Sequence, residues 1–204
     1  MNLDRLADTS FAWHMAEHLI PLFLLPQLIL LVRPFALIQR IVGKNSAATL
    51  VRMTRPLHAI ANPVFALCFF VATMWATHFT GFYEYALEHD WAHALEHVLY
   101  LIAGIIFWLP IMGPPPLRPL PYPLRLFYLA IALPQGALLA VAINSARSPL
   151  YAHYAHQSVS AALTDQHNAA AVMWIGGGLL TFAAFLITLA AWASHESENE
   201  ILSS

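Results

Sequence analysis

The sequence predicts an all-α fold, a polytopic membrane helical bundle of about five transmembrane helices, on three observations. Of 204 residues, 59% are apolar and only 10% charged, where soluble domains carry about a quarter charged residues. The mean hydropathy is +0.62. Apolar stretches of about twenty residues recur five times, each suited to a hydrocarbon core about 30 Å thick. A soluble domain of this size could not bury so much apolar surface. Residues 1–204 therefore read as a single integral membrane domain.

Each span has its own start and stop. The first, about 11–32, halts at Arg33-Pro34. Asp4, Arg5 and Asp8 precede it, and no small-residue cleavage pattern follows, so an uncleaved segment is expected. The second, 62–78, opens on Asn62 as cap with Pro63 at the first helical position. The third, 91–109, follows a cap at Asp90 and ends at Pro110. The fourth, 124–143, holds Pro134 and Gly136, which predict a kink. The fifth, 165–192, carries Gly176, Gly177 and Gly178, which allow a neighbour to approach closely. Between spans, residues 35–60 alternate apolar and basic groups and suit the membrane surface. The seven prolines of residues 110–123 suggest a stiff polyproline-like strap.

Charge predicts orientation and excludes partners. Arg33, Arg40, Lys44, Arg52, Arg55, Arg118 and Arg125 fall on one side of the membrane, and only Arg5 and Arg147 on the other. The excess of basic residues marks the cytoplasmic side, so the N-terminus is expected outside and the C-terminus inside. A net charge of −2 without a basic face argues against nucleic acid as a partner. Cys68, the one cysteine, lies in an apolar run and reads as a buried, inert thiol.

Against this scarcity of charge stand eleven histidines, more than the nine Lys and Arg together. His14, His18, His78, His89, His93, His97, His153, His156 and His167 fall on the outer side of this topology; only His58 and His195 do not. His14/His18 and His93/His97 are i,i+4 pairs, so each pair shares one helix face. Each encloses a glutamate, Glu17 or Glu96, in an HxxEH pattern. At 1.5 Å rise per residue, His18 lies roughly 20 Å from Arg33 and His97 roughly 20 Å from Pro110, so the pairs share a depth. Ionisable groups inside a span usually face the bundle interior, and imidazole is the commonest metal-binding side chain. The candidate metal ligands are His14, His18, His78, His93, His97, His167, Asp165 and Glu96. Glu17, Met15 and Met173 are weaker candidates or supports for the ligands. Asp165 also suits the N-cap of the fifth span, and Gln135 and Asn144 suit interhelical hydrogen bonding.

At these residues the sequence resembles the CtaG-type assembly factors of caa3-type cytochrome c oxidase. His14-Met15 with His18 resembles an HM…H element. Trp75…His78, Tyr83 and Ala86-Leu87 resemble a W…H…Y…AL stretch. The HxxEH of 93–97 and the FWxP of 107–110 follow, then Leu150-Tyr151 with Tyr154, and Asp165-Gln166 with Met173-Trp174. Two positions depart: Ala169-Ala170 stand where the family has a glycine pair, and Thr80 where it has a proline. The resemblance implies maturation of a haem–copper oxidase at the outer side of the cytoplasmic (inner) membrane, with an oxidase subunit as partner and copper insertion as the stage. Copper is the metal expected, with handover rather than catalysis as the task. The residues alone leave open a di-iron or zinc membrane enzyme, a b-type cytochrome with two histidines on haem iron, and assembly as a homo-oligomer.

Overall fold

The computed structural model describes residues 10–33, 37, 56–154 and 158–203; most of the 35–60 segment, and His156, lie outside them. The described residues are helical with no strand: α1 (Phe11–Leu31), α2 (Pro63–Phe79), α3 (Phe82–Glu88), α4 (Asp90–Met112), α5 (Tyr122–Asn144) and α6 (Val159–Ser203), with a short 3₁₀ turn at Ala152–Tyr154. Helices α1, α4, α5 and α6 are each long and apolar enough to cross a membrane. Helices α2 and α3, bent by 67° at a short break, together have the length and apolarity of a broken span or a re-entrant loop. The protein is a helical membrane bundle.

Lipid supplies no hydrogen bonds, so helix ends and breaks must be closed by the protein itself. Asn62 caps α2, accepting from Val64 N at 3.0 Å and Phe65 N at 3.2 Å. Asp90 is the first residue of α4 rather than its cap, and its carboxylate lies in the first turn, where negative charge suits the helix dipole. Helix α6 begins at Val159, six residues before the expected start, because Ser158 caps it through Ala161 N at 3.2 Å. Asp165 is therefore inside α6, and its carboxylate closes a different helix. It accepts from Ser10 Oγ at 2.8 Å, Phe11 N at 2.6 Å and Ala12 N at 3.3 Å, capping α1.

Helix α1 changes pitch midway. Pro21 has no N–H to offer Glu17, and the ring of Pro26 crowds the carbonyl of Leu22. The chain widens into a π turn at Ile20–Leu24, with Leu25 N donating to Ile20 O. At the same level α4 presents Gly104, where a Cβ would fall 2.6 Å from Pro26 Cγ and into the Leu22 carbonyl. Glycine there lets two backbones touch, the usual basis of helix association in lipid. Tyr128 then ties α5 to α4 by donating to Phe107 O at 3.1 Å.

Two expectations need correcting. The proline segment folds back instead of running extended: Gly113 takes φ +48°, Leu117 N donates to Pro114 O at 2.9 Å, and Leu120 N donates to Pro110 O at 2.8 Å. Arg125 Nε closes the same turn on Leu120 O. Helix α5 continues as one helix through Pro134. Cys68 is exposed on α2, so its thiol faces the bundle's surroundings.

Because Asp165 is the acceptor for two N–H groups of α1, Asp165→Ala should lower stability by about 1–2 kcal/mol, the usual worth of a cap. Thermal unfolding in detergent followed by circular dichroism measures it; an unchanged midpoint would show the cap to be dispensable.

Candidate metal centre

The first turns of α1 and α4 lie side by side, and their histidine faces meet. Ring centroids are 4.3 Å apart for His14 and His18, 4.9 Å for His14 and His93, 5.0 Å for His18 and His97, and 4.5 Å for His93 and His97. Glu96 enters from α4: His14, His93 and Glu96 each offer a donor atom within 4.8 Å of the others. His18 Nε2 lies 3.7 Å from Glu96 Oε2. His14, His18 and Glu96 are buried, whereas His93 and His97 are half-buried.

The cluster's polar atoms go unanswered by protein. His14 Nε2, both nitrogens of His18, His78 Nε2, His93 Nε2, His97 Nε2 and Glu96 Oε2 are buried without a hydrogen-bond partner among the described residues. An orphaned buried polar atom costs about 1–3 kcal/mol, and a single ion answers at most one nitrogen of each imidazole. Around a first-row ion with bonds of about 2.0–2.1 Å, donors sit roughly 3–4 Å apart. The His14, His93 and Glu96 donors, within 4.8 Å of one another, are spread somewhat wider than that.

Neighbouring groups fix the orientation of these donors. His78 Nδ1 lies 2.8 Å from the Met74 carbonyl. That carbonyl can only accept, so Nδ1 carries the proton and Nε2 keeps its lone pair. The Tyr100 hydroxyl donates to Glu96 Oε1 at 2.9 Å and lies 2.9 Å from Thr77 Oγ1. The glutamate's other oxygen is left facing the imidazoles. Tyr83 packs between His14 and His78, with centroids at 5.5 and 5.7 Å. Above them the 150s loop is pinned at three points. Tyr151 donates to His78 O at 2.9 Å, Glu84 accepts from His153 N at 2.9 Å, and Gln166 accepts from Leu150 N at 2.8 Å. Burial holds the Tyr151 phenol well above its ordinary pKa, so it remains a donor.

The remaining candidates divide. Glu17 lines, with His97, an open lateral groove between α1 and α4. Met15 is fully buried among Phe11, Tyr83, Tyr151 and Ala169, so packing accounts for it. Met173 lines the central cavity of the bundle. His167 is exposed on α6, and Asp165 is engaged in capping α1. An interhelical amide is Gln166, which also donates to Ile143 O at 3.0 Å. Tyr100 was within reach of sequence reasoning, being four residues after Glu96 on the same face. Thr77 carries no such signal, since it meets Tyr100 only where α2 packs against α4, and Tyr83, noted in the resemblance, is placed from α3 beyond the bend.

Comparison with known proteins completes the description. The sequence model of one family, described as cytochrome c oxidase caa3 assembly factor, matches residues 1–195. Uncharacterized proteins of Mycobacterium bovis, Mycobacterium tuberculosis and Mycobacterium leprae are each 26% identical over 204 residues. The alignment covers 93% of this chain and 31% of each relative, so the chain spans about a third of the length of the curated relatives it matches. No solved structure matches.

Losing the hydroxyl that orients Glu96 should weaken transition-metal binding about 10–100-fold in Tyr100→Phe, while His167→Ala leaves it unchanged. Isothermal titration of the detergent-purified protein separates the two; equal losses would break the assignment of the centre to α1 and α4.

Proposed function

The chain belongs to the cytochrome c oxidase caa3 assembly factor family, and on that premise we propose that it is an oxidase assembly factor whose α1–α4 histidine centre carries copper as cargo. The observation that carries this reading is the concentration of buried, unpartnered imidazole nitrogens around one carboxylate. Copper fits that donor set. Imidazole binds copper, zinc and iron, and the divalent affinity order peaks at copper. Di-iron centres of bundle proteins use several carboxylates, whereas Glu96 is the one acidic side chain grouped with these histidines among the described residues.

Handover calls for donors of unequal accessibility. His14 and His18 are buried, while His93 and His97 are half-buried and His97 borders the lateral groove with Glu17. A cargo ion can exchange ligands from that side while the buried pair retains it. The recipient is an oxidase subunit, and the reading assigns no catalytic step to this chain.

The basic residues support an orientation. Arg33, Arg118 and Arg125 lie at the bundle end opposite the histidine centre, as does the Tyr122–His195 contact at 5.7 Å. With basic residues favouring the cytoplasm, the centre faces the outer side of the cytoplasmic membrane and the C-terminus lies inside.

Purified wild-type protein should hold copper, and His93→Ala with His97→Ala should hold little or none; equal copper by elemental analysis would sink the cargo reading. Topology is checked in intact cells of a Cys68→Ser background. A membrane-impermeant maleimide should label Glu88→Cys but not Ser197→Cys, and the reverse pattern would invert the orientation.

A further inference from the structure

The two HxxEH turns sit in matching register. His14 and His93 are the fourth residues of α1 and α4, and His18 and His97 are the eighth. Equivalents meet level with one another: ring centroids are 4.9 Å apart for His14 and His93 and 5.0 Å for His18 and His97, whereas the diagonal from His18 to His93 is 6.2 Å. The four imidazoles therefore form two tiers, separated by four residues of each helix, about 6 Å of rise.

The tiers do not converge on one point. Among the described residues, His14, His93 and Glu96 bring one donor each within 4.8 Å of the others, and His18 and His97 join no such group. Yet His18 is only 1% exposed with neither ring nitrogen hydrogen-bonded, and His97 Nε2 is buried and without a partner as well. Neither protein hydrogen bonds nor the first group of donors accounts for this second pair. Glu96 stands between the tiers: it belongs to the first group, and its Oε2 lies 3.7 Å from His18 Nε2. An ionised carboxylate has lone pairs on both oxygens and can serve two cations. Glu17, its counterpart on α1, lines the lateral groove that His97 also borders.

We propose that the centre takes two copper ions rather than one: the first between His14, His93 and Glu96, the second one turn further along both helices between His18 and His97, with Glu96 shared. This inference deepens the copper reading and rests on it. Paired metal ions in proteins lie about 3.5–4 Å apart, a spacing that one carboxylate spans and that two tiers one turn apart accommodate. Two cations so close repel each other, so the second binds more weakly than the first. Unequal affinity suits handover. The second tier reaches the lateral groove through His97, which puts the less tightly held ion on the open side.

The test counts copper on full-length, detergent-purified protein after equilibrium dialysis against copper(II) sulfate. A variant combining His14→Ala, His18→Ala, His93→Ala and His97→Ala gives the baseline of surface binding. Wild type should exceed that baseline by two ions per chain. His14→Ala with His93→Ala, and His18→Ala with His97→Ala, should each exceed it by one. Electron paramagnetic resonance of copper(II)-loaded wild type should integrate to fewer spins than ions, because carboxylate-bridged ions couple; this measurement stands even if a variant does not fold. An excess of one ion in wild type, with spins equal to ions, would mean a single four-histidine site and overturn the proposal while leaving the copper reading intact. Loss of all the excess copper on removing either tier would overturn it too. Wild type equal to the baseline would overturn the copper reading itself, and the second ion with it.

Discussion

A membrane interior offers no water to answer a polar group, and this one constraint organises the molecule. Backbone groups answer one another along the helices. Where a helix starts within reach of lipid, another element supplies the missing acceptor, as Asp165 of α6 does for α1. Where a loop must be held, an amide spans it, as Gln166 does between Leu150 and Ile143. The histidine centre departs from that economy. Its nitrogens are brought together, buried, and left without protein partners. On the proposed reading, a copper ion answers them.

The contact between α1 and α4 sets the geometry of the centre. Gly104 admits the α1 backbone at the π turn, and the meeting point lies two to three turns below the histidine pairs. With α4 held that close, the two i,i+4 faces converge at one depth. Helix α6 holds the other flank: Asp165 caps α1, Leu19 packs over Gly176, and Phe23 touches the place a Gly177 side chain would occupy. The functional side chains therefore stand on rigid elements, and positioning groups such as Tyr100 and the Met74 carbonyl fix their orientation in turn.

Much of this was legible in the residues, and the rest was hidden for definable reasons. Apolar run length is a local property, so a helical membrane bundle follows directly from it. The pairing of His14 with His18 and of His93 with His97 follows from helix period alone. Asp165 was ambiguous because a carboxylate near a helix start suits that helix's own cap, and nothing local reveals that a second helix needs it more. Cys68 was misread because a uniformly apolar helix gives no periodic sign of which face turns inward. The proline segment looked extended because prolines favour that conformation, while the fold-back depends on Gly113 and on bonds to Pro110 and Leu120 across the turn.

By itself the sequence determined the class of fold, the membrane setting, and an unusual endowment of histidine at two helix turns, since composition and period are carried by each segment independently. Tertiary structure decided the rest. It grouped Glu96, and not Asp165 or His167, with the histidines, brought Thr77 to Tyr100 across α2 and α4, and set Tyr83 beside His14 and His78 through the α2–α3 bend. Those outcomes depend on which helix faces meet, and that is decided by close backbone approach at a few small residues and by polar atoms that find partners only across helices.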